Sequence, residues 1–238
     1  MNATMVATTS HFIEQEWTEY TRENHEVWET LFTRRIRDLC QTAPQEFFLG
    51  LEELNLDEKQ VPEFNHINER LQQLTGWQVV GVDGFLEPHL FFQCLAHRRF
   101  PSTVTLRTFQ QLEYLPEPDI FHDIFGHVPL LACERYAAYL HRFGEKAAQA
   151  STPEELERYA RIFWFTVEFG LIGSQGQFQV YGSGLLSSAA DAAHALSAGC
   201  ERRPFSLEAI LHQQFRTDEL QKVLFVIDSF EDLFQLQL

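Results

Sequence analysis

Between Glu23 and Leu39, the residues Val27, Trp28, Leu31, Phe32, Arg35, Ile36 and Leu39 recur at three- and four-residue intervals, the spacing of one helix face. A stripe of that length has to be buried against other elements, so the chain is bound to a packed helical core. Pro44 starts a shorter helix through Phe47, Phe48, Leu51 and Leu54. Pro62 opens another that carries Phe64, Ile67, Leu71 and Leu74 and stops at Gly76. Thr152-Pro153-Glu154-Glu155 is a fourth start, with a capping hydroxyl, proline at the first position and Glu three residues on. The spacing predicts that this helix runs through Leu156, Tyr159, Phe163 and Val167 to about Phe169, with Gly170 past its end. Small residues from Ser187 to Leu196 read as a helix, and Ser229 is placed to cap a last one. Trp77–Val82, Ser102–Leu106, Phe178–Tyr181 and Val223–Ile227 read as short strands. They are too few and scattered for a doubly wound sheet. The expected architecture is mainly α with a few short β-strands, a single domain over residues 11–238 behind a loose N-terminus at 1–10.

Composition removes several function classes. The chain has 238 residues, 45 % hydrophobic and 22 % charged, which suits one globular core. Its 22 phenylalanines are mostly core by this reading, with a minority free to line an aromatic pocket. Acidic residues outnumber basic ones, 34 against 18, for a formal charge of −16. Such a surface repels nucleic acid and anionic membranes. Cys40, Cys94, Cys133 and Cys200 are widely spaced with no CxxC pair, which is neither a zinc framework nor a disulfide scaffold. Residues 1–10 lack the basic and apolar blocks of a secretory signal, and no apolar stretch reaches the roughly 20 residues of a bilayer span. The expected location is the cytoplasm.

Chemistry concentrates in Pro116–Leu131, PEPDIFHDIFGHVPLL, where His122 and His127 sit five residues apart beside Asp119 and Asp123. On a straight α-helix five residues turn through roughly 500°, leaving the two side chains about 140° apart. They can share a metal only where the helix ends or widens, and Gly126 and Pro129 supply such an irregularity. This is not the HExxH arrangement, whose four-residue spacing keeps both imidazoles on one regular face. A third group comes from Glu168, the single charge in the run Ile162–Phe169, one turn after Trp164. A carboxylate in such company is costly unless paired or bound to a metal; an arginine such as Arg107 or Arg161 is the alternative partner. Two imidazoles and a carboxylate form the facial set of iron(II) oxygenases, yet zinc hydrolases use the same ligand types. Asp119 and Asp123 are alternatives to Glu168, or partners that orient an imidazole or a substrate.

PEPDIFHDIFGHVPLL, together with WFTVEFGL (Trp164–Leu171) and YGSGLLSS (Tyr181–Ser188), resembles the pterin-dependent aromatic amino acid hydroxylases, most nearly their small bacterial phenylalanine 4-hydroxylase branch. Weaker similarity extends from the helix near Trp28 to about Phe230. The resemblance implies Fe(2+) on His122, His127 and Glu168, with O2 as co-substrate and a tetrahydropterin (tetrahydrobiopterin or a bacterial analogue) as electron donor. It implies that Arg107, supported by Asp119, grips the substrate carboxylate, a role that suits a bidentate guanidinium. It sets Trp164 and Pro116 beside the substrate ring and Ser187 near its polar end. Val82, Gly84, Leu86 and Phe91 would line the pterin site, Phe91 stacking on the bicyclic ring, and Asp123 would reach the pterin through water. Three positions depart from the animal enzymes: Leu115 replaces a hydroxyl, Phe163 a tyrosine and Asp123 a glutamate. The implied reaction is phenylalanine to tyrosine, the pterin supplying two electrons and leaving as a hydroxypterin. The same site would serve tryptophan or tyrosine, or the meta position of phenylalanine. The resemblance further implies a monomer, since the tetramerisation helix of the animal enzymes has no counterpart here, and a separate pterin-recycling enzyme.

Three rivals stand beside it. Gly182-x-Gly184-x-x-Ser187 after a strand weakly suggests a dinucleotide-dependent oxidoreductase, although the third glycine and a surrounding βαβ unit are missing and the glycines read better as a tight turn. A zinc hydrolase shares the ligands. A non-enzymatic helical binding module would make the histidines structural and leave Glu168 unexplained.

Overall fold

The computed structural model describes residues 11–113, 115, 117–174 and 176–238, so the expectation for residues 1–10 and the placement of Pro116 lie outside the described residues. Thr21 opens α1 (Arg22–Leu39): its hydroxyl accepts from Asn24 N while the Asn24 side chain accepts from Thr21 N, a reciprocal cap. The buried face of α1 is the expected stripe except for the half-buried Ile36, with Arg35 included at 4 % exposure. Helices α2 (Gln45–Glu53) and α3 (Phe64–Leu74) follow where their prolines foretold. Beyond α3, Gly76 adopts φ +73°, a left-handed stop that glycine tolerates.

The strands among the described residues form two small sheets. β1 (Phe12–Ile13), β2 (Gln78–Val82) and β3 (Arg99–Thr103) form the first, with α4 (Pro88–Ala96) crossing between its parallel pair β2 and β3. The strand expected at Ser102–Leu106 therefore begins three residues earlier. Pro101 is not the boundary that its residue type suggests. It lies inside β3, an edge strand where a missing N–H is tolerated. The chain leaves the sheet after Thr103, whose amide turns to the Asp123 carboxylate at 2.8 Å. The second sheet has the order β5-β4-β7-β6, built from β4 (Leu171–Ser174), β5 (Gln177–Val180), β6 (Glu201–Pro204) and β7 (Val223–Ile227).

In the chain between β3 and β4 come a π-helical segment (Phe121–His127), α5 (Val128–Leu131), α6 (Glu134–Ala147) and α7 (Pro153–Phe163). A second π-helical turn follows at Trp164–Glu168. Thr152 caps α7 by accepting from Glu155 N, but the Glu155 carboxylate returns to Ser151 N at 2.7 Å, one residue before the expected partner. The helix expected to stay regular to Phe169 widens after Phe163. Next come α8 (Ser183–Ser187), helical where a tight turn is expected, and α9 (Ala189–Leu196), which begins two residues after the expected Ser187, then α10 (Leu207–His212) and α11 (Glu231–Phe234). Ser229 does not cap α11 with its hydroxyl. Instead the Asp232 carboxylate accepts from Asp228 N and Ser229 N. Among the described residues no helix is long and apolar enough to cross a membrane.

Aromatic packing anchors the first π-helical segment. Phe121 and Phe125 stack at 4.8 Å, with Trp28 and Phe32 of α1 and Phe47 of α2 edge-on at 5.2–5.3 Å. Further along the same buried face of α1, Arg35 donates to Leu185 O and Leu186 O in α8, at 3.0 and 2.9 Å. Burial lowers the pKa of its guanidinium, and Asp38 offsets part of that. Because two buried carbonyls lose their donor, Arg35→Leu is expected to destabilise the metal-free protein by about 2–4 kcal/mol, read by denaturant unfolding. A change below about 0.5 kcal/mol would mean that α8 is held by other contacts.

Candidate metal centre

A π-helix repeats its hydrogen bonds every five residues, which brings side chains five apart toward one face. Phe121–His127 is such a segment, and the His122 and His127 rings lie 5.1 Å apart at 87°. The irregularity that the spacing required is therefore a widening of the helix itself. Pro129 sits in the first turn of α5 beyond it. Gly126 serves close packing instead. A Cβ there would lie 2.8 Å from Ser183 O, so its bare backbone lets α8 approach.

The second π-helical turn aims the third group. Phe169 N donates five residues back, to Trp164 O, at 2.9 Å. Glu168 thereby faces both imidazoles, with Oε1 3.2 Å from His127 Nε2 and Oε2 3.7 Å from His122 Nε2. One donor atom from each of the three residues falls within 4.8 Å of the others. Gly182 adopts φ −66°, so the glycines of the YGSG segment are not there for a left-handed turn. A Cβ on Gly182 would stand 2.4 Å from Glu168 O, and close approach is the reason for glycine.

Two serines of α8 orient this triad. Ser183 Oγ donates to Glu168 Oε2 at 2.7 Å. Ser187 Oγ donates to Ser183 O at 2.8 Å and lies 2.9 Å from His122 Nδ1. A hydroxyl has one proton, so Ser187 must accept from His122, which makes the imidazole the Nδ1–H tautomer. Its Nε2 lone pair then points at the other two ligand atoms. Burial pushes the His122 pKa down to about 4, with the Glu168 charge opposing only in part. Burial would raise the Glu168 pKa, but His127, His122 and Ser183 outweigh it and hold the carboxyl at about 2. Neutral imidazole and ionised carboxylate are the forms that bind a metal. The donor set fits a divalent ion.

Asp119 and Asp123 stand outside the triad. Both Asp119 oxygens are occupied, Oδ2 by Arg107 N and Nε and Oδ1 by Arg107 Nη2 and His122 N, at 2.8–3.1 Å. Burial raises the Asp119 pKa, but Arg107 reverses this and holds the carboxyl below its ordinary value. Arg107 therefore pairs with Asp119 and leaves Glu168 to the imidazoles. Asp123 Oδ2 accepts from Thr103 N and Oγ1, and burial pushes its carboxyl up to about 7 against the His127 charge.

Arg107 and Ser187 line one cleft of about 270 Å³ with Arg34 and Ser188. Trp164 stacks on Phe215 at 4.9 Å and donates to the buried Gln221 Oε1 at 3.2 Å. Val82 and Leu86 pack with Phe91 in a small apolar cluster, while Gly84 is exposed at φ +79°. Phe91 meets Phe163 edge-on at 5.3 Å, and Phe163 stacks on His127 at 6.2 Å. Phe100 covers His127 at 4.6 Å. Sequence reasoning does not single out Phe100, Gln221 or Ser183; only Ser183 carries a signal, from its place inside YGSGLLSS.

The sequence pattern of the biopterin-dependent aromatic amino acid hydroxylases matches residues 7–237. The chain belongs to that family. A phenylalanine-4-hydroxylase from Chromobacterium violaceum is 45 % identical over 216 residues, covering 90 % of this chain and 73 % of the relative. A structure of the C. violaceum phenylalanine hydroxylase with bound iron(III) and oxidised 7,8-dihydrobiopterin matches with TM-score 0.90 and 44 % identity, over 94 % of this chain and 82 % of that one. An iron- and phenylalanine-bound form matches with TM-score 0.88 and 42 % identity, over 95 % and 83 %. Family membership sets aside the dinucleotide oxidoreductase, the zinc hydrolase and the binding module. In this hydroxylase fold the expected mainly α architecture holds, with seven short strands among the described residues.

Proposed function

We propose that this chain is an iron- and tetrahydropterin-dependent monooxygenase that converts L-phenylalanine to L-tyrosine with O2, holding iron through His122, His127 and Glu168. The observation that carries this reading is the convergence of a lone-pair-bearing His122 Nε2, His127 and an ionised Glu168 on one point. The solved relatives that hold iron, dihydrobiopterin and phenylalanine supply the reaction class.

Iron(II), when bound, offers open coordination positions for oxygen chemistry, and the pterin brings two electrons. The side chains bind and orient. Asp119 fixes the Arg107 guanidinium, which is placed to take the substrate carboxylate at the cleft shared with Ser187. Trp164, held by Gln221 and Phe215, is the wall for the substrate ring and sets which ring carbon faces the metal. Val82, Gly84, Leu86 and Phe91 form the pterin wall, linked through Phe163 to His127, and Asp123 serves the pterin's polar edge. Phe100 and Phe163 keep water from the His127 ring. The thiols Cys40, Cys94, Cys133 and Cys200 are all free, which supports a reducing cytoplasm. A separate enzyme would return the oxidised pterin to use.

Iron-loaded protein given phenylalanine, O2 and a synthetic tetrahydropterin is expected to form tyrosine, and a chelated control is expected to form none. Hydroxylation of tryptophan, or of phenylalanine at the meta position, would keep the site and change the substrate. No oxidation of any aromatic amino acid by folded, iron-replete protein would overturn the proposal.

A further inference from the structure

Nothing in the sequence fixes the rotation of the Glu168 carboxylate; in the structure Oε1 faces His127 and a buried hydroxyl of α8 holds Oε2. Ser183 Oγ donates to Glu168 Oε2 at 2.7 Å, short enough for a charge-assisted bond to an ionised carboxylate. Ser183 is 1 % exposed. Its carbonyl accepts from Ser187 Oγ, and the bare Gly126 backbone lies against it. Gly182 and Gly184 both close on Glu168 O, so α8 rests directly on the backbone of the residue that Ser183 orients. From the other side Arg35 holds the last carbonyls of α8. Packed in this way, the Ser183 hydroxyl commits its proton to Oε2.

We infer that Ser183 is a positioning residue of the metal centre: its hydroxyl holds the Glu168 carboxylate in the orientation in which it ligates, and so sets how tightly iron(II) is retained. Through Ser183 and Ser187, the short helix α8 acts on the carboxylate and on one imidazole together. The inference rests on the iron reading of the triad. Iron binding by the parent protein tests that reading, and the variants measured relative to the parent test this one.

Partners of metal ligands typically account for roughly 10- to 100-fold in metal affinity. Ser183→Ala is therefore expected to raise the iron(II) dissociation constant by about that factor, measured by competition with a chromophoric chelator, while the metal-free protein melts as the parent does. The cobalt(II) absorption spectrum of the substituted protein is expected to change as well, which a merely structural serine would not bring about. Ser183→Thr and Ser183→Val give a second comparison, because any crowding by the added methyl is common to both and only the hydroxyl differs. Threonine is expected to hold iron more tightly than valine. Parental affinity and an unchanged cobalt spectrum in Ser183→Ala would overturn the inference. If the alanine protein does not fold, equal affinities for the threonine and valine proteins would overturn it.

Discussion

Glu168→Gln protein, folded and supplied with excess iron(II), is expected to lose tyrosine formation by more than about 100-fold, because even the outer partners of metal ligands are worth up to that factor. The substitution keeps the shape and removes the charge. Two imidazoles then remain without the anion that balances a divalent ion, and an amide NH2 competes for the space that Oε1 and Oε2 occupy opposite His127 and His122. Iron content after desalting should fall with activity. A Glu168→Gln protein that keeps stoichiometric iron and parental turnover would remove this carboxylate from the centre.

Asp119→Ala is expected to be the most damaging single change to stability among the site residues. Asp119 is 2 % exposed and receives three bonds from Arg107, whose side chain is only 11 % exposed. Removing the carboxylate leaves a buried guanidinium without its counter-ion and His122 N without its acceptor. Breaking such a pair costs about 3–5 kcal/mol, or roughly 6–20 °C in Tm for a domain of this size. Freed from Asp119, Arg107 would also lose its orientation, so KM for phenylalanine should rise in whatever protein still folds. A Tm within about 2 °C of the parent would show that water replaces the carboxylate there.

The features behind these effects are legible in the sequence to different degrees. The buried stripe of α1, the Thr152 cap and β7 follow from local rules, and the structure places them within a residue of expectation. The spacing of His122 and His127 is informative because it fails on a regular helix. It requires the helix to end or to widen, and the structure shows that it widens. That the helix bearing Glu168 widens too is not readable, since nothing between Phe163 and Phe169 breaks the helical pattern. Helices α4 and α6 are absent from the expected elements. The α4 segment is apolar on nearly every side, but α6 buries Tyr136, Tyr139, Leu140, Phe143 and Ala147 at three- and four-residue spacing, a stripe that is legible in the sequence although absent from the expected elements.

Long-range pairing is the other gap. The start of β3 is set by its register with β2, Gln78 opposite Arg99, and no local signal at Arg99 reveals it. The link from Arg35 to α8 spans about 150 residues of sequence, so a charged residue in the apolar stripe of α1 explains itself only once α8 is in place. A tight turn is the local expectation at Gly182, because backbone crowding against Glu168 is a tertiary fact.

The proposed reaction needs one iron ion among His122, His127 and Glu168. Anomalous diffraction from crystals of the iron-loaded protein, recorded on either side of the iron absorption edge, tests it most directly. The expected result is a single strong peak within bonding distance of His122 Nε2, His127 Nε2 and the Glu168 carboxylate. A peak centred elsewhere, on Asp119 or Asp123 for example, or no peak at this point in iron-replete crystals, would contradict it.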